Sequence, residues 1–82
     1  MDDATRKLMS QVATVLVTLA AERTGRMPAT LLYLALGTDI GAMDRLVSIM
    51  RGAGLIEATA RELRLTAKGR ARAERLVAVG IG

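Results

Sequence analysis

A chain of 82 residues with no cysteine and no histidine has one domain's worth of core, burying only about 60% of the surface its unfolded form exposes. It has no disulfide framework, no thiolate metal site and no imidazole to serve as general base or ligand, so neither catalysis nor a cofactor or metal is expected. Hydrophobic residues make up 51% and charged residues 24%, the composition of a folded chain. The formal net charge is +4, and all of the excess lies in the second half. Residues 1–40 set Arg6, Lys7, Arg23 and Arg26 against Asp2, Asp3, Glu22 and Asp39, whereas residues 41–82 hold eight basic and four acidic side chains. A basic half implies an anionic partner, most simply a nucleic acid, or else a solvated surface rich in arginine.

In chain order, Asp3 is placed to cap a helix running through "ATRKLMSQVATVLVTLAAERTG" to a stop at Gly25. Leu8, Val12, Val15, Leu16 and Leu19 recur at three- and four-residue spacing and give it one apolar face. Met9, Val17 and several alanines fall outside that stripe, so a second surface is expected to cover them. The uncharged run from Leu8 to Ala21 is too short to span a bilayer, and Asp2 and Asp3 cancel Arg6 and Lys7 where an export signal is net positive. A cytoplasmic protein without a membrane segment is expected.

Pro28 suits the first turn of a short, nearly wholly apolar helix, "PATLLYLALG", that stops at Gly37. Asp39 then caps a third helix, "IGAMDRLVSIMRGA", whose buried stripe is Met43, Leu46, Val47 and Met50. Two helices joined through Gly37-Thr38-Asp39 make a helix-turn-helix candidate, a spacing that any small helical bundle also shows. After Gly54 the periodicity changes. "LIEAT" and "ELRLT" read as two short strands around a bend at Ala60-Arg61, with Leu63 and Leu65 alternating against Arg64. Thr66 is an N-cap for a last helix, "AKGRARAERLVAV", in which Gly69 permits close approach to the hairpin. The expected fold is mainly α with a small β-hairpin, in one domain over 1–82, plus a possible short strand at Arg26-Met27. The methionines Met9, Met27, Met43 and Met50 read as core filler.

The order and wording of these segments resemble the winged-helix regulators of prokaryotes, particularly the MarR and PadR types. "RLVSIMRGAGLIE" is similar to the end of their recognition helix running into the first wing strand, and "LRLTAKGRARAERL" to their second wing strand and following helix. The resemblance covers roughly residues 26–76. It implies a winged helix-turn-helix with a three-helix core, a wing and a C-terminal helix, and it implies double-stranded DNA as partner and transcription regulation as role. Winged helices also serve as protein–protein interaction modules without DNA contact, and that alternative stays open.

By position, the resemblance leaves Ile40, Gly41, Ala42, Asp44, Arg45, Ser48 and Ile49 near DNA. Arg45 is then the candidate for a bidentate contact with a guanine edge, and Ser48 for a base or phosphate; an ion pair of Arg45 with Asp44 or another acid is the competing role. Arg61 stands at the bend of the wing, to meet a minor groove or phosphate, or simply to solubilise a hairpin tip. Thr38 and Thr59 offer hydroxyls to phosphate or to their own turns. Lys68, Arg72 and Arg75, at i, i+4 and i+7, share a face of the last helix that serves phosphates, another subunit's acids or only solvent, while Glu74 is placed to pair with Arg70. The spare apolar surface of the first helix, with Leu76, Val77, Val79 and Ile81, points to a homodimer built by the first and last helices. No set of residues identifies a small-molecule effector.

Overall fold

A computed structural model describes residues 2–79. It has seven elements: α1 Asp3–Ala21, β1 Arg26–Pro28, α2 Ala29–Leu36, α3 Ile40–Gly52, β2 Ile56–Ala58, β3 Glu62–Leu65 and α4 Ala67–Ala78. The chain is mainly helical with a small three-stranded antiparallel sheet, ordered β1-β3-β2. No helix among the described residues is long and apolar enough to cross a membrane. Ile81 and its expected contacts lie outside the described residues.

The helix boundaries follow from caps. Asp2, not Asp3, caps α1: its backbone is extended, and its Oδ1 accepts from the Thr5 amide at 2.7 Å. The same bond holds the Asp2 carboxyl below its usual carboxylate range. At the other end α1 stops at Ala21 rather than running on to Gly25, because Glu22 turns to φ −78°, ψ 138°. Asp39 caps α3 by accepting from Ala42 at 2.7 Å. α3 closes with Gly54 in the left-handed region at φ +76°. The Gly54 amide donates to Arg51 at 3.0 Å and the Leu55 amide to Met50 at 2.9 Å. That pair of bonds absorbs two of the carbonyls a helix end leaves unpaired, and the buried Met50 and Leu55 stand at its two apolar positions.

The sheet is larger than a hairpin. Between α1 and α2 the chain runs extended alongside β3, pairing Arg26 with Arg64, Met27 with Leu63 and Pro28 with Glu62. Pro28 therefore ends an edge strand and stands at the N-cap of α2, outside its first turn; on an edge its missing amide hydrogen leaves no ladder bond unmade. Pairing continues beyond both ends of β1, through Leu65 N–H to Gly25 carbonyl at 2.8 Å and Ala29 N–H to Arg61 carbonyl at 2.9 Å. β2 and β3 pair with Ile56 opposite Leu65 and Ala58 opposite Leu63.

Alternation along the strands separates two faces. Met27, Ile56, Ala58, Leu63 and Leu65 turn toward the core, joining Val15, Leu16 and Leu19 of α1, Leu32 of α2, and Met43, Leu46 and Met50 of α3. Each leucine, isoleucine, valine or methionine among them, where fully buried, contributes about 1.5–3 kcal/mol. The outer face carries Arg26, Glu57, Glu62 and Arg64, matched as Arg64–Glu57 at 2.6 Å and Arg26–Glu62 at 3.6 Å. α4 lies along α1, with Ala73 buried. It docks on the hairpin at Gly69, where a Cβ would overlap the Leu55 carbonyl oxygen. Thr66 fixes that junction: its Oγ1 donates to the Gly54 carbonyl at 2.6 Å and accepts from the Gly69 amide at 3.0 Å.

Candidate nucleic-acid interface

Burial of Met43, Leu46 and Met50 on one side of α3, with Val47 half-buried beside them, dictates what the other side shows. Gly41, Asp44, Arg45, Ser48 and Ile49 are exposed, as is Ile40 at the helix start, while Ala42 is half-buried. The buried stripe is the one expected from the spacing. Arg45 makes no ion pair among the described residues, with Asp44 or any other acid. Its five guanidinium donors thus face solvent in a fork that suits a paired acceptor.

Two depressions meet at Arg45. One is a shallow hollow bounded by Asp44, Arg45, Ser48 and Ile49. The other is a groove of about 480 Å³ between α3 and the first half of α1, lined by Lys7, Gln11, Thr38, Arg45 and Ile49 among others. Thr38, in the turn between α2 and α3, is thereby brought beside Arg45. Lys7 and Gln11 are members of this surface that the sequence alone did not single out. They stand at i, i+4 and flank the buried face begun by Leu8 and Val12, but only the crossing of α1 over α3 shows which flank meets the groove.

Arg61 stands in the turn of the hairpin, between β2 and β3. The turn Ala60-Arg61 is closed by the Thr59 amide donating to the Glu62 carbonyl at 2.9 Å and by Thr59 Oγ1 accepting from the Glu62 amide at 3.1 Å. The Thr59 hydroxyl is thus occupied by its own turn. The Arg61 carbonyl accepts from Ala29 at 2.9 Å, tying the turn to the start of α2, and Ala29 and Thr30 share a hollow with Ile40 and Asp44. The hairpin tip is thus bonded through its backbone to the start of α2, which borders the hollow at Ile40 and Asp44. Arg61, like Arg45, has no ion pair among the described residues.

Lys68 and Arg72 lie elsewhere. The Lys68 side chain passes Gly54, its Cδ 3.8 Å from where a Cβ on that glycine would stand, at the foot of the hairpin whose tip is Arg61. At about 3.3 Å per strand residue, roughly 15–20 Å separates foot from tip. Lys68, Arg72 and Arg75 are exposed together along one flank of α4, beside the side on which Gly69 and Ala73 are buried. The expected pair of Arg70 with Glu74 is not formed; Arg70 extends over Gly25 instead. Of the six candidates, Thr38, Arg45 and Ser48 line the two depressions beside α3, Arg61 stands at the hairpin tip, and Lys68 and Arg72 lie together on α4.

The local charge follows from which acids are occupied. Glu57 and Glu62 are held by Arg64 and Arg26, and Asp39 is turned to the α3 amides. Asp44 is the acid left exposed on the α3 surface, where its carboxylate suits a base amino group rather than a phosphate. No family model, curated protein or solved structure matches this chain.

Proposed function

We propose that the chain is a winged helix-turn-helix that binds double-stranded DNA as a homodimer and acts in transcription regulation. The observation that carries this is the exposed, unpaired Arg45 on α3, flanked by the two depressions that Ser48 and Thr38 help to line. In this reading α3 enters the major groove and Arg45 donates both arms of its fork to guanine O6 and N7. Ser48 meets a base or a phosphate. Thr38 and Lys7 take phosphates at the side of α3, and Arg61 takes a phosphate or minor groove beyond the start of α2. Lys68 and Arg72, on their separate face, add attraction for the polyanion at longer range. The dimer is built along α1 and α4, where Met9, Ala13, Val17 and Leu76 line an open groove together with Ser10, Thr14 and Thr18, and Val77 and Val79 stand exposed.

Titration of the folded protein with a random duplex at low salt tests the reading. Wild type is expected to bind and the Arg45→Ala, Arg61→Ala double variant to bind at least tenfold more weakly, since charged contacts of this kind are worth about 1–3 kcal/mol each. Equal binding by both proteins would put the DNA on another face.

One observation favours a second reading, a winged-helix interaction module. Leu31 and Leu34 are exposed one turn apart on α2, Leu34 at 71%, giving the helix-turn-helix an apolar shoulder that phosphates do not need. A folded protein without DNA affinity at low salt selects this reading.

A further inference from the structure

Ile49 stands one turn beyond Arg45 on the outward side of α3 and is 47% exposed. A single exposed aliphatic residue is ordinary on a protein surface. This one differs in its neighbours: Ile49 and Arg45 line the same two depressions, one toward Ser48 and the other toward Thr38 and Lys7. An apolar tip in that position gains nothing from phosphate. Among the base edges of the major groove, thymine is the one that presents a methyl group.

We infer that Ile49 is a specificity-determining residue that reads the 5-methyl group of a thymine near the guanine taken by Arg45. The inference rests on the DNA-binding reading above and adds to it a base preference. Four residues along α3 span about 6 Å, close to two base steps at about 3.4 Å each. The thymine therefore falls one or two base pairs from the guanine. Packing of the methyl against Ile49 removes both from water, which binds thymine over cytosine or uracil without a hydrogen bond, while Arg45 supplies the directional contact.

The test begins with selection of tight-binding duplexes from a randomised pool. Each thymine of the recovered site is then replaced by deoxyuridine, which deletes the methyl group and leaves the hydrogen-bonding edge unchanged. One thymine per half-site is expected to lose about three- to fivefold in affinity on replacement, the worth of one buried methyl. That loss is expected to vanish in Ile49→Ala, and in Ile49→Gln as a second variant, both checked for helical content. Insensitivity at every thymine overturns the inference, as does a full-sized loss that persists in both variants. A pool bound without sequence preference also overturns it while leaving phosphate binding in place. A folded protein that retains no duplex at low salt overturns the DNA-binding reading and this inference together.

Discussion

Thr66 and Gly69 act as one joint. The hydroxyl of Thr66 holds the Gly54 carbonyl and the Gly69 amide, so it ties the end of α3 to the start of α4. Its role as N-cap was legible because a threonine preceded a helical pattern; its bond to Gly54, twelve residues earlier, was not, since no local rule pairs those positions. Thr66→Ala is expected to lose about 1–3 kcal/mol, a cap together with a partner for a carbonyl, and Thr66→Ser to recover most of it, as read by chemical denaturation. Gly69→Ala is expected to cost about 3 kcal/mol or more, at the top of the range for overpacking, because its Cβ meets the Leu55 backbone rather than a movable side chain. A Gly69→Ala protein as stable as wild type would mean that α4 does not dock as described.

At the scale of elements, α1 and α3 were legible from apolar spacing and α2 and α4 from Pro28, Gly37 and the Thr66 cap, whereas the helix ends and the third strand were less so. Asp2 and Asp3 are both competent caps, and only the extended backbone at Asp2 settles which one bonds Thr5. That cap also sets a dependence on pH. The folded carboxyl lies below its ordinary value, so its support for α1 is complete above that value and is lost as pH falls through the lowered one. Hydrogen exchange is expected to show the Thr5 amide losing protection over that acid range in wild type and keeping it in Asp2→Asn, which retains the acceptor at every pH. Loss of protection in both would place the acid response outside this cap. β1 was foreseen only as Arg26-Met27, since three residues carry too little alternation to read and their partner, β3, lies more than thirty residues away. The crossing of α1 over α3, which brings Lys7 and Gln11 to Arg45, was hidden for the same reason: periodicity gives a helix's buried face but not the neighbour along each flank.

At the scale of the whole molecule, part of the charge that is uneven along the sequence is cancelled, because Arg26 and Arg64 are neutralised by Glu62 and Glu57 while Arg45, Arg61, Lys68 and Arg72 are not, among the described residues. The same scale decides how to test the dimer. Val15 and Leu19 are fully buried, so a charge at either would unfold the domain, whereas Met9, 55% exposed, lines the groove on α1. Sedimentation at tens of micromolar is expected to give a dimer for wild type and a folded monomer for Met9→Glu; a wild-type monomer would contradict the proposed assembly. The central proposal is that this chain grips the phosphates of duplex DNA, and the dependence of affinity on salt tests it most directly. With Lys7 and Arg61 each neutralising a phosphate in both subunits, log affinity for a dimer is expected to fall with log salt at a slope of about −4. The slope should flatten by about two when Arg61, present in both subunits, is replaced by alanine. A slope near zero, or no binding at low salt by a protein that remains folded, would contradict the account.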